Sequence, residues 1–76
     1  MEVMTKEEIL DDIKEYEDEG ISVHKDTIMA HIVGKDIYDD ETTKEEDKIA
    51  QEILDELEKE RKIGQDPGFS GYVFLL

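Results

Sequence analysis

Thr5 with Glu8, and Thr43 with Glu46, each reproduce the Thr-x-x-Glu pattern of a helix capping box. In that motif the threonine oxygen accepts from a free helix amide, while the glutamate reaches back to the cap amide. Two helix starts follow, and the apolar residues behind them keep helical spacing. After Thr5, Ile9, Ile13 and Tyr16 fall at i, i+4 and i+7 with Leu10 beside them, and Gly20 is a natural stop. A first helix over about residues 6–19 is expected. After Thr43, Ile49, Ile53 and Leu57 lie four apart, with Ala50 and Leu54 filling the adjoining stripe. A longer helix is expected over 44–62, ending near Gly64. Between them, Ile28, Met29, Ile32 and Val33 make two i, i+4 pairs closed by Gly34. This short, nearly uncharged helix is expected to be the most buried, with Ser22 as its N-cap and Ile21-Ser22-Val23 as an extended lead-in.

The end of the chain changes period. Gln65-Asp66-Pro67-Gly68 has type II turn chemistry, with proline to preset φ and glycine to accept a positive φ. Tyr72-Val73-Phe74-Leu75-Leu76 is uncharged and rich in β-formers, so it reads as a strand. Its apolar residues do not alternate with polar ones, which requires either cover on both faces or one sticky face. The fold class is therefore α+β: three helices followed by a C-terminal β-hairpin, in a single domain over 1–76. Residues 1–4 are expected to be flexible. Residues 35–43 read as an acidic linker whose Ile37 and Tyr38 tuck back onto the core.

Charge limits what such a fold can touch. The formal net charge is −14 and pI is about 4.2. Residues 1–20 contribute −7, residues 21–34 are neutral, and residues 35–48 contribute −4. Residues 49–64 contribute −2, and residues 65–76 carry only Asp66. DNA affinity comes largely from lysines and arginines that release condensed counterions. Here there are eight lysines and one arginine. No cysteine is present, so disulfide and thiolate-metal frameworks are excluded. No run approaches the ~20 apolar residues that cross a bilayer. Met1-Glu2-Val3-Met4-Thr5-Lys6 has neither the basic region nor the apolar core of a secretory leader, so a cytoplasmic location is expected.

Candidate chemistry is thin. His24 and His31 stand seven apart, whereas a helical zinc pair sits at i, i+4. The acids Asp36, Asp39, Asp40, Glu41, Glu45, Glu46 and Asp47 cluster, yet from Asp36 a calcium loop would need glycine at Glu41 and glutamate at Asp47. Ser22 and Ser70 have no histidine or acid at an interpretable spacing. No cofactor, metal site or enzymatic activity is expected.

The order helix, short helix, long helix, hairpin resembles a winged helix-turn-helix domain. The residues that carry the resemblance are Leu54-x-x-Leu57, then Arg61-Lys62-Ile63-Gly64, then Gly71-Tyr72-Val73. The resemblance implies a recognition helix and wing. Two features depart from the family: the linker before the third helix is longer than a 3–4-residue turn, and that helix is acidic. In size and charge the chain is also similar to small acidic DNA-mimic proteins.

The reading that follows is an acidic interaction or regulatory protein that binds a basic protein surface, with DNA mimicry or inhibition as its sharper form. Glu15, Glu52, Asp55 and Glu56 lie off the apolar stripes and are the expected partner-facing acids. The alternative is a winged-helix DNA-binding regulator, in which Lys59, Arg61, Lys62, Gln65 and Ser70 meet phosphates. No membrane contact is expected. Phe74, Leu75 and Leu76 would end the chain on an unpaired strand, a hazard that a homodimer through that strand, or packing under the first helix, would relieve.

Overall fold

The computed structural model describes residues 3–36, 41–66 and 71–76. The order is α1 (Lys6–Asp18), β1 (Val23–His24), α2 (Lys25–Ile32), α3 (Lys44–Lys59), β2 (Ile63–Gln65) and β3 (Tyr72–Leu75). The α+β class holds, with three helices and a small antiparallel sheet whose shape is compatible with a winged-helix-like arrangement. Tyr38, Pro67, Gly68 and Ser70 lie outside the described residues, as do Ile37, Asp39 and Asp40.

Both capping boxes form. Thr5 Oγ1 accepts from the Glu8 amide at 3.2 Å, and Glu8 Oε1 accepts from the Thr5 amide at 2.9 Å. Thr43 Oγ1 accepts from the Glu46 amide at 3.1 Å, and Glu46 Oε1 accepts from the Thr43 amide at 2.9 Å. A cap of this kind contributes about 1 kcal/mol. Helices α1 and α2 end in Schellman motifs. Gly20 and Gly34 take the left-handed position at φ 75°. The amides of Gly20 and Ile21 then reach the carbonyls of Glu17 and Tyr16, and those of Gly34 and Lys35 reach His31 and Ala30.

The start of α2 differs from expectation. His24, not Ser22, is the N-cap, and its Nδ1 accepts from the Asp26 amide at 3.1 Å. The reason is non-local: Val23 and His24 pair with Val73 and Tyr72 of β3, which fixes the chain entry two residues later than local chemistry suggests.

That pairing also changes the hairpin. The sheet has three strands in the order β1-β3-β2, so β3 is central and the expectation of an unpaired terminal strand is corrected. Gln65, expected in a turn, lies in β2 opposite Val73. The ladder continues past β3, where the Leu76 amide donates to the Lys62 carbonyl at 3.2 Å.

Strand alternation separates two faces. Val23, Ile63 and Val73 point into the core, while Tyr72 and Phe74 point out. The core packs these residues with Ile9 and Ile13 of α1, Ile28, Met29, Ile32 and Val33 around α2, and Ala50, Leu54 and Leu57 of α3. Ile53 packs against this cluster from a partly buried position. Ile49 is also only partly buried, so the inner seam of α3 is the Ala50–Leu54–Leu57 stripe. The Met4 amide is held by the Ile32 carbonyl at 2.9 Å. Among the described residues no helix is long and apolar enough to cross a membrane.

Candidate interaction surfaces

Because Ile9 and Ile13 anchor α1 to the core, the helical repeat turns Glu7, Asp11, Glu15 and Asp18 toward solvent in one stripe. No hydrogen bond or ion pair holds their carboxylates among the described residues. Lys14 flanks the stripe without reaching ion-pair distance. Toward α2 the pattern changes. Asp12 Oδ2 lies 3.0 Å from His31 Nδ1, and the Tyr16 ring stacks on His31 at 6.4 Å between centroids. Asp12, Glu15, Tyr16 and Glu19 line a shallow recess of about 220 Å³. Of the expected partner-facing acids, Glu15 therefore sits on an exposed, unpaired face.

The acids of α3 are mostly committed. Asp55 Oδ1 accepts from Gln51 Nε2 at 2.9 Å and from Gln65 Nε2 at 3.1 Å. Gln51 Nε2 also donates to Gln65 Oε1 at 3.1 Å, and Glu58 Oε2 accepts from the Gln65 amide at 3.2 Å. Asp55 and Gln65, assigned above to rival partners, thus bind each other and fasten β2 to α3. Glu56 and Glu60 both engage Lys6 Nζ, at 3.1 and 2.7 Å. The hydrogen bond from Lys6 holds the Glu60 carboxyl below its ordinary range. Glu60, then Glu56, push the Lys6 ammonium up. Glu52 alone of the acidic α3 candidates is exposed with no partner among the described residues. Nothing joins it to Glu15: the Lys6 link between α1 and α3 stands nine residues from Glu15, about 13 Å along a helix.

The basic candidates cluster where α3 ends. The helix stops at Lys59 with Glu60 as C-cap, three residues before the expected end. The physical reason is Arg61, which takes the left-handed position at φ 62° that Gly20 and Gly34 take elsewhere. Its amide reaches the Glu58 carbonyl at 2.9 Å, and the Lys62 amide reaches that of Leu57 at 3.0 Å. A Cβ in this region costs about 1–2 kcal/mol, so the stop is strained where the other two are not. Lys59 and Arg61 are exposed and unpaired among the described residues, while Lys62 Nζ lies 3.7 Å from Glu60 Oε1. Ser70, the last candidate, lies outside the described residues.

Two acids that sequence reasoning passed over close the sheet. Beyond β1, the outward amide of Leu75 donates to Glu17 Oε2 at 2.8 Å. On the other side, Glu58 takes the Gln65 amide. Each carboxylate occupies a backbone donor that another strand would need. Glu46, expected in the capping box, is also the buried acid among the described residues, at 9% exposure. Its Oε1 accepts from Lys35 Nζ at 2.7 Å, and this bond, followed by the Thr43 amide, holds its carboxyl below the usual range. Glu7, Asp11 and Asp18 were not singled out from the sequence, although the helical repeat that places Glu15 off the apolar stripe places them there too; only tertiary pairing separates such acids from Glu17 and Glu58.

Among the described residues no group of three or more histidine and carboxylate side chains is placed to hold a metal ion. Compared with known proteins, the chain matches no family model, no curated protein and no solved structure.

Proposed function

We propose that this chain is a non-enzymatic interaction domain that docks the outward face of α1 onto a basic protein surface. One observation carries the reading: the exposed stripe Glu7, Asp11, Glu15 and Asp18 has no internal counter-charge among the described residues. Neighbouring like charges on a helix destabilise it by about 0.2–0.5 kcal/mol per pair. A cationic partner removes that repulsion and gains the attraction. Charge density favours a partner that ordinarily holds nucleic acid. Leaving aside Glu8, Asp12 and Glu17, which the fold engages, five carboxylates stand between Glu7 and Glu19. Over that advance of about 18 Å, they give roughly one charge per 3.6 Å. DNA presents one per ~3.4 Å along a strand and one per ~1.7 Å along the duplex. A chain that occupies such a site excludes DNA from it, which is the action of an inhibitor or DNA mimic.

The test is competition. A basic DNA-binding protein is loaded with labelled duplex, and this chain is titrated in across a salt series. Displacement that weakens as salt rises, and that is lost when Glu7, Asp11, Glu15 and Asp18 become Gln or Asn, is the expected result. A direct shift of random duplex by the chain at micromolar concentration would sink the proposal.

That outcome would favour a second reading, a winged-helix-like DNA contact through Lys59, Arg61 and Lys62. Its supporting observation is that Arg61 keeps a strained left-handed backbone while its side chain is unpaired among the described residues. A glycine there would relieve the backbone but remove the cation. Gln65, bound to Asp55 and Glu58, is less available to this reading than its sequence position implied.

A further inference from the structure

His24 caps α2 with a group that titrates. Its Nδ1 accepts from the Asp26 amide at 3.1 Å, and an imidazole nitrogen accepts only when it carries no proton. The proton of the neutral ring is therefore on Nε2. The same Nδ1 stands 3.6 Å from Asp26 Oδ2, beyond hydrogen-bond range but within a small side-chain turn of it. One ring nitrogen thus has a donor and an acceptor of the same residue beside it. Its own proton decides which of the two it can bind.

The surroundings force that choice. On its Nε2 side the ring lies over Gly71, where a Cβ would stand only 2.6 Å from the nitrogen. Tyr72 meets it edge-on at 6.1 Å between centroids. The Lys25 amide donates to the Gly71 carbonyl at 2.8 Å, so the start of α2 is anchored to the sheet independently of the ring. The side chain is 41% exposed, and solvent protons reach it. Val23 is buried in the core, and strand alternation turns His24 to the opposite face, away from the acids that α1 and α3 hold. The charged groups on its side are Lys25 and Asp26 along the chain and Asp66 across β3, with the Tyr72 phenol between; the Asp66 amide donates to the Tyr72 carbonyl at 2.8 Å. Glu17, on the Leu75 amide, is further along β3 by about 10 Å. Among the described residues only Asp26 lies within ion-pair distance of the ring.

We infer that His24 is a pH-dependent switch at the start of α2: its neutral ring caps the Asp26 amide, and its protonated ring releases that amide and pairs with the Asp26 carboxylate. The proton that Nδ1 takes from solvent converts it from acceptor to donor. The fold survives the exchange, because a new ion pair offsets the lost cap and the Lys25 anchor stays. What changes is the first turn of α2, fastened to β1 in the neutral state and loosened in acid. The switch stands apart from the α1 docking face and holds whether or not that face binds a partner.

His31 supplies an internal reference. Its Nδ1 is 3.0 Å from Asp12 Oδ2, an acceptor, so its neutral ring carries the proton on Nδ1. The two histidines are therefore opposite tautomers.

Imidazole nitrogen shifts, read by NMR on the intact chain, test this. At about pH 8 His24 should be the Nε2–H tautomer and His31 the Nδ1–H tautomer. Acidification to about pH 5 crosses the range in which imidazoles take a second proton. Over it the Asp26 amide proton should shift in step with the His24 ring. Hydrogen exchange at that amide, corrected for its intrinsic pH dependence, should quicken roughly fivefold, the factor equivalent to one helix cap. Asp26→Ala keeps the amide and removes the carboxylate. A protonated ring then has neither partner, so the folded variant resists protonation, and stability present at the upper pH is lost as pH falls. Its melting temperature should drop more on acidification than that of the wild type. Adding His24→Asn, which caps a helix without titrating, should abolish the extra drop. An Nδ1–H tautomer for His24 at the upper pH overturns the inference. So does an Asp26 amide that stays still while the His24 ring titrates, or an Asp26→Ala variant with the wild-type pH dependence.

Discussion

Helices α1 and α3 are both acidic and both begin with a capping box, yet their acids do opposite things. On α3, Asp55, Glu56, Glu58 and Glu60 bind Gln51, Gln65 and Lys6, and Lys48 and Lys59 interrupt the exposed side. On α1, among the described residues, only Glu8, Asp12 and Glu17 are committed, to a cap, to His31 and to the Leu75 amide. The acids of α3 hold the fold together, and most of those on α1 remain for something else. A residue's charge therefore says little until its internal partners are known. The two helices are alike in composition and unlike in which of their acids the fold engages.

The sharpest way to break that contrast is to neutralise the free stripe. Glu7, Asp11, Glu15 and Asp18 changed together to Gln or Asn should weaken binding to a basic partner roughly a hundredfold, at about 0.7 kcal/mol per charge. Calorimetric titration reads the affinity. The melting temperature should hold or rise slightly, because like-charge pairs are removed. A fall of many degrees would mean that these acids are structural after all.

The reciprocal change is on α3. Glu58→Ala removes the acceptor of the Gln65 amide and should cost about 1 kcal/mol in urea unfolding, with no effect on partner affinity. Arg61→Gly tests the helix end. Relief of about 1–2 kcal/mol of left-handed strain, less the extra chain entropy of glycine, should leave a gain of about 0.5–1 kcal/mol. A loss of stability would show that the arginine side chain makes a contact worth more than the strain.

Acid should separate the committed acids from the free ones. The carboxyl of Glu46 sits below the ordinary glutamate value of 4.5 because of the Lys35 ammonium and the Thr43 amide. Its contribution is thus complete above that value and disappears as pH falls through the depressed one. Urea midpoints should drop in that window for the wild type and less steeply for Glu46→Gln. The smallest shift in urea midpoint is expected from Lys6→Ala, since exposed ion pairs contribute little.

Much of the frame was legible because it is local. Thr5 and Glu8 lie within one turn, as do Thr43 and Glu46, and Gly20 and Gly34 act through their own backbones. What escaped is non-local or contrary to preference. Strand β1 is two residues long and is defined by Val73 and Tyr72, about fifty positions away. The end of α3 was misplaced because an arginine occupies a position where glycine is expected. For the site, helical spacing marked Glu15 and Glu52 as outward. It could not reveal that Asp55 faces Gln65 or that Glu56 faces Lys6, since each pairing depends on how separate elements pack.

The carboxylate of Glu17 on the Leu75 amide has a consequence for the life of the molecule outside its native state. The sheet is sealed on that side only while α1 is docked, because the seal is a side chain of the helix. A chain in which α1 has come away presents β3 with an open amide next to Phe74 and Leu76, a template on which further strands can grow. Aggregation on heating is then governed by the undocking of one helix, and it should begin before the sheet itself melts.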